Sequence, residues 1–318
     1  MHSEDGAASV GGQRLETELQ RLRRHLYDGD LRLGRPIKAN DTEVAAEKHR
    51  DAGGVVYDVR DFPKFVYKEL NRPLVGSAGS FEEIATLGRQ LSSRLESRGV
   101  EVFWPLDICG DRDVARGYIM ERIPDEYHLH VRTPYMKSRR LAEMARALPT
   151  GKAFQLVEPI TAADRLELVK LVGVFLNELH AQDFVYGDVS WANFLFVRKP
   201  TKIGVIDLDS TRRLAGPFIK DKDAVDTLGW RDSLAPADPE PLGFDLDRYR
   251  YALLVYRMLV TLDRESVFPE DVVSIAVPRT DGLAESARAT LEFVLRRAAA
   301  APYGCRPPIC EWLGAYEK

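Results

Sequence analysis

Apolar residues recur along this chain with two different periods, and the change of period divides it. Over 13–27, Leu15, Leu19, Leu22 and Leu26 return at helical spacing on a charged background, which predicts a helix. From 31 to 122 short apolar runs dominate. Val55-Val56-Tyr57 and Phe65-Val66-Tyr67-Lys68 flank a turn at Asp61-Phe62-Pro63 and read as two strands. Phe81, Ile84, Leu87, Leu91 and Leu95 then mark a helix, and Val100–Leu106 and Tyr118–Met120 mark further strands. Pro124 opens a polar linker to about Pro134. Beyond it the pattern turns helical. Ala163–Gln182 is apolar on a face broad enough to be buried, Asp247–Leu262 is strongly apolar, and Leu283–Ala300 is amphipathic. The expected class is α+β, with a β-rich first lobe and a helical second lobe. The expected divisions are a 1–30 extension carrying the 13–27 helix, a first lobe over 31–122 and a second over 123–318.

Composition narrows the partners. The net charge of −4 provides no global basic field for nucleic acid. The apolar stretch Tyr251–Val260 is interrupted by Arg257 and is too short to span a bilayer. Residues 1–12 are small, acidic and glycine-rich, without the apolar core of a signal peptide. Three cysteines, Cys109, Cys305 and Cys310, make no disulfide framework and no paired metal-ligand set, so a cytoplasmic protein is expected. The 13–27 stripe has two readings, a helix packed on the main body or a dimer or partner contact.

The chemistry concentrates in Leu179–Phe196, LHAQDFVYGDVSWANFLF. A helix ends, a turn places Asp188 and Asn193 five residues apart, and an apolar strand follows. Eleven residues beyond Phe196 the run Ile203–Ile206 delivers Asp207. One carboxylate can orient a hydroxyl, while an amide and a second carboxylate hold Mg²⁺ on ATP phosphates. Phosphoryl transfer needs that division, because its catalysis is mostly positioning and charge neutralisation. Lys68, at the end of a strand, can reach ATP phosphates if a carboxylate holds its ammonium. Glu82 and Glu83 open the next helix, and either could supply that carboxylate. As helix-opening acids both also suit the macrodipole. Gly53 and Gly54 precede a strand and would let backbone N–H groups approach phosphates, or simply form a hairpin turn.

These motifs, in this order, resemble those of the protein kinase-like superfamily over the chain from about residue 31 onward. Tyr186-Gly187-Asp188 stands where eukaryotic-type kinases have His-Arg-Asp, Asn193 at their metal-binding asparagine, Val205–Asp209 at Asp-Phe-Gly, and Val66-Tyr67-Lys68 at the Ala-Ile-Lys strand. The resemblance implies a bilobal kinase-like fold and an ATP- and Mg²⁺-dependent kinase. In it Asp188 orients the acceptor, Asn193 and Asp207 bind metal, and Lys68 pairs with Glu83. Backbone groups of Met120-Glu121-Arg122-Ile123 would read adenine, so Glu121 and Ile123 join the nucleotide-binding set. Asp226–Trp230 is similar to the end of an activation segment and Asp247–Ala252 to the helix whose aspartate braces the catalytic loop. Arg306-Pro307 is similar to a closing motif whose arginine would pair with Glu240. These last matches imply a protein or peptide Ser/Thr substrate.

The pattern also departs from the family. Gly187 replaces the arginine of His-Arg-Asp. Ser190 stands where Ser/Thr kinases carry a lysine near the γ-phosphate, leaving Lys199, Lys202 or a basic residue on the substrate side to supply that charge. Asp209 replaces a glycine, a feature shared with small-molecule phosphotransferases, where the second acid can join the metal site. A small-molecule kinase and a pseudokinase scaffold therefore stand as alternatives. His128 and His130 alternate with Leu129, which reads as ordinary loop or strand rather than a metal pair, and the cluster Lys137, Arg139, Arg140 reads as a solvated face.

Overall fold

The computed structural model describes residues 17–24, 33–36, 55–75, 78–111, 114–129, 137–138, 160–214, 229–235, 243–263 and 265–317. The chain divides into two compact units, Met1–Ala85 with Pro105–Arg122, and Thr86–Trp104 with Ile123–Lys318. A single cut does not separate them, because residues 86–104 group with the second unit.

The first unit is a five-stranded antiparallel sheet. Its strands are β1 (Leu33–Pro36), β2 (Val55–Val59), β3 (Phe65–Val75), β5 (Pro105–Asp111) and β6 (Val114–Glu121), in the order β1-β2-β3-β6-β5. Asp61 takes a left-handed φ of 68° in the β2–β3 turn, a conformation that Asp tolerates better than most side chains. The helical residues 17–24, α1, bury Leu19 and Leu22 in a cluster with Val59, Phe62, Phe65, Tyr67 and Ile119. Arg23 bonds Asp107 at 2.7 Å, and Lys64 pairs with Glu18 at 3.2 Å. The leucine stripe of α1 is thus buried within its own unit. The ends of the predicted 13–27 helix, with Leu15 and Leu26, lie outside the described residues.

Helix α2 (Ala78–Glu96) begins earlier than its apolar pattern suggests. Glu82 and Glu83 therefore sit in its second turn, not its first, and the macrodipole gives them little. The apolar run Val100–Leu106 predicts one strand, but the structure makes two. Val100–Val102 is β4, parallel to β11 (Thr201–Val205) in the second unit, whereas Pro105 opens β5 in the first. Periodicity cannot report which sheet an apolar run joins.

The second unit is mainly helical. Part of the expected linker is ordered: Asp125–Tyr127 form a 3-10 turn, and β7 (His128–Leu129) pairs with β8 (Lys137–Ser138). Helix α3 (Ala162–His180) starts at Thr161, whose side chain accepts from the Asp164 backbone while Asp164 reaches back to the Thr161 backbone. Then come β9 (Phe184–Val185), β10 (Phe194–Arg198), β11 and β12 (Arg212–Arg213). They are followed by α4 (Phe244–Val255), α5 (Glu285–Ala300) and α6 (Ile309–Tyr316). The predicted helix to Leu262 continues from α4 as a π-helical segment, Tyr256–Thr261, a distortion common at functional positions. Among the described residues no helix is long and apolar enough to cross a membrane.

Candidate active site

The site is built on a hairpin and the turn that leads into it. β10 and β11 pair with Phe194 opposite Val205, and the Ile206 N–H donates to Asn193 O at 3.0 Å. Asn193 just before one strand and Asp207 just after the other therefore lie at the same end of the hairpin. Asp207 adopts a left-handed φ of 64° and immediately precedes the 3-10 turn Leu208–Ser210. Behind them Phe175 of α3 packs edge-on against Tyr186 and Phe194, with ring centroids 5.2 and 6.3 Å apart. One aromatic thus supports both ends of the 186–193 loop.

Side chains hold this loop by its backbone. Asp247 of α4, fully buried, accepts from the Tyr186 N–H at 2.8 Å and the Gly187 N–H at 2.9 Å. His180 Nε2 lies 3.0 Å from the same carboxylate, and its ring packs on Phe244. Arg250, one turn along α4, donates to Gly187 O at 2.6 Å and reaches Asp188 Oδ1 at 3.4 Å. Asn193 Nδ2 donates to Asp188 O at 2.9 Å and Asp188 Oδ2 at 2.7 Å. The carboxylate is oriented by its own loop, and the amide keeps its carbonyl oxygen as a hard donor.

Charge is concentrated here. Tyr186 is buried and donates to Ile206 O at 2.6 Å. Burial first, and then the carboxylates of Asp188, Asp207, Asp247 and Asp209, push its phenol well above the ordinary range, so it remains a neutral donor. Asn193, Asp207 and Asp188 provide oxygen atoms, the chemistry Mg²⁺ prefers when one or two carboxylates act together with substrate phosphates. The donor set fits that ion. A dedicated cage is a different arrangement, and no cluster of three or more His, Cys, Asp or Glu ligands occurs among the described residues.

Lys68 is buried in β3, with its ammonium 5.6 Å from the centroid of the Tyr118 ring opposite it on β6. Glu82 and Glu83 are both exposed. Glu121 ends β6 opposite Phe65, and Ile123 packs with Phe103, Tyr127, Leu195 and Val197. Gly53, Gly54, His130, Arg139, Arg140 and Glu240 lie outside the described residues. Ser190 is fully buried, so it cannot extend toward a phosphate as a lysine would. Lys202 is held by Glu101 and Glu126, each at 2.5 Å, and is committed to that structural network rather than to transition-state charge. The Arg306 guanidinium bonds Asp245 and, at 2.8 Å, Asp232. The closing arginine thus has two buried aspartates as partners, and its expected partner Glu240 lies outside the described residues.

Three functional side chains escape the sequence reading. His180 and Arg250 brace the loop. Arg257, fully buried, lies 5.1 Å from the Trp191 ring and 4.7 Å from the Trp230 ring while donating to Gly229 O. It joins the turn after Asp188 to the segment 229–235. Burial lowers the Arg257 pKa to about 10. The available signal was two arginines seven residues apart, the second within an apolar run.

No protein-family model matches the sequence, and no curated protein matches it. Among solved structures the chain is similar to that of the Cydia pomonella granulovirus kinase PK-1, with a TM-score of 0.56 and 16% identity over 94% of this chain and 97% of that one. Identity this low carries the fold alone, and the fold of this chain is α+β and protein kinase-like.

Proposed function

We propose that the chain is an ATP- and Mg²⁺-dependent phosphotransferase acting on an alcohol, with a Ser or Thr hydroxyl of a protein or peptide as acceptor. The observation that carries this reading is the Asp188–Asn193 bond at 2.7 Å inside a loop whose backbone is fixed by Asp247. Asp188 is oriented to accept a hydrogen bond from the acceptor hydroxyl and to aim it as the nucleophile. Asn193 and Asp207 would hold Mg²⁺, which when bound neutralises phosphate charge. Lys68 and Glu83 are assigned to phosphate positioning, and Glu121 and Ile123 to the adenine-reading strand, on the family resemblance. The viral structural neighbour is a kinase, which agrees with the reaction class. The anchored segment 229–235 favours a peptide acceptor, because the corresponding family segment forms the docking shelf.

A nucleotide-binding scaffold without transfer is the second reading, favoured by the buried Ser190 where a cation would be expected. Intact-mass spectrometry after incubation with Mg²⁺ and ATP separates the two. Phosphate gained by wild type and not by Asp188→Asn supports the kinase. Mg-ATP binding with no transfer to the chain itself, to peptides or to small alcohols overturns it.

A further inference from the structure

Gly187 precedes Asp188, and no side chain fits there. Its φ is +85°, and a Cβ would lie 2.8 Å from Ser210 O, closer than a backbone oxygen permits. A cation serving this turn must therefore come from another element, and α4 supplies one. Asp247 takes the Gly187 N–H and Arg250 takes the Gly187 carbonyl. The two residues are three apart on one helical face, so a single helix turn grips one glycine residue at both its N–H and its C=O. The same Arg250 Nη1 approaches Asp188 Oδ1.

Arg250 is only 2% exposed. Burying a guanidinium is costly unless charged partners and hydrogen bonds offset it. Here the offset comes from the peptide before Asp188 and from Asp188 itself.

We propose that Arg250 is the positioning residue for Asp188: it fixes the Gly187 carbonyl and one carboxylate oxygen, so that the carboxylate keeps a single orientation toward the acceptor. Asn193 already holds Oδ2 from the opposite side of the loop. The carboxylate is then clamped between an amide that follows it in sequence and a guanidinium that comes from a distant helix. This role rests on the phosphotransferase reading for its catalytic meaning, but its structural core does not.

The experiment uses the full chain as wild type, Arg250→Met and Arg250→Lys. Methionine keeps the bulk and removes the donor; lysine keeps a charge and one donor. Hydrogen–deuterium exchange of the 186–193 amides is followed with 244–255 as the internal reference. The expected result is faster loop exchange in Arg250→Met, roughly tenfold or more, with 244–255 still protected and partial recovery in Arg250→Lys. Loop exchange equal to wild type, or loss of protection throughout 244–255 in both variants, overturns the proposal. In parallel, Mg-ATP-dependent transfer is measured. Arg250→Met should lower kcat roughly tenfold to hundredfold, as a misplaced group does, with KM for ATP nearly unchanged and lysine restoring part of kcat. A raised KM with unchanged kcat also overturns it. Wild type without any transfer sinks the phosphotransferase reading alone, and the exchange result then decides Arg250.

Discussion

The two units start the placement of their candidate charges from different local structures. In the first, Lys68 is placed by a strand register and an aromatic neighbour, and the unit's cluster of Leu22, Phe65 and Ile119 is apolar. In the second, Asp188 is placed by a network of polar bonds to backbone, reaching it from Asn193, Asp247 and Arg250. A sheet fixes where a side chain starts, whereas a loop must have each peptide held individually because it lacks a ladder of its own. The 186–193 loop therefore depends on buried charges that hold single peptides, and polar substitutions at those charges should be costly.

Asp188→Asn has the largest expected effect. It keeps the bulk of the side chain but removes the carboxylate, and transfer should fall about 10²- to 10⁴-fold while the chain remains folded. Transfer at wild-type level would remove Asp188 from the chemistry.

Asp247→Ala comes next. It leaves two backbone N–H groups and His180 without their carboxylate, and should cost roughly 3–5 kcal/mol, as breaking a buried charged network does. Chemical denaturation measures it. A loss below about 1 kcal/mol would show that the polar bracing is not what holds the loop.

In the first unit the comparable test is apolar. Leu22→Ala should cost about 2–5 kcal/mol and release α1. Cys109 packs against the same cluster, and burial followed by the Asp107 charge pushes its thiol up to about 12. At pH 8 iodoacetamide should label exposed Cys305 and Cys310 in the native chain and spare Cys109. In Leu22→Ala, Cys109 labelling should accelerate. Equal labelling of all three thiols in wild type would mean the first unit is not closed around Cys109.

The smallest expected effect separates two adjacent acids. Glu82 and Glu83 are both exposed, and Glu82→Ala should change stability by less than about 0.5 kcal/mol. Under the proposed function only Glu83→Ala lowers transfer. If Glu82→Ala lowers it instead, the assignment moves by one residue.

Much of the second unit's site was legible because its parts are close in sequence. Asp188 and Asn193 share one turn, and a hairpin of known pairing carries the chain to Asp207. Asp247 was legible through its family-like helix. Arg250 and Arg257 were not, because a charged residue on an apolar helix reads as an interruption until its partner is known. The Val100–Leu106 run was misread for a related reason: strand signals carry no sheet address.

Periodicity and local spacing act over a few residues. They were enough for the main helices, for most of the strands in their order, and for the turn that brings an aspartate and an asparagine within reach. Packing was needed to establish that Leu19 and Leu22 are buried within the first unit, that Lys202 is committed to Glu101 and Glu126, and that Arg306 pairs with Asp232 and Asp245. It was needed too for the cation beside Asp188, which comes from Arg250. Each of these is a partnership across dozens of residues, fixed by the folded chain and by the cost of leaving a buried charge unpaired.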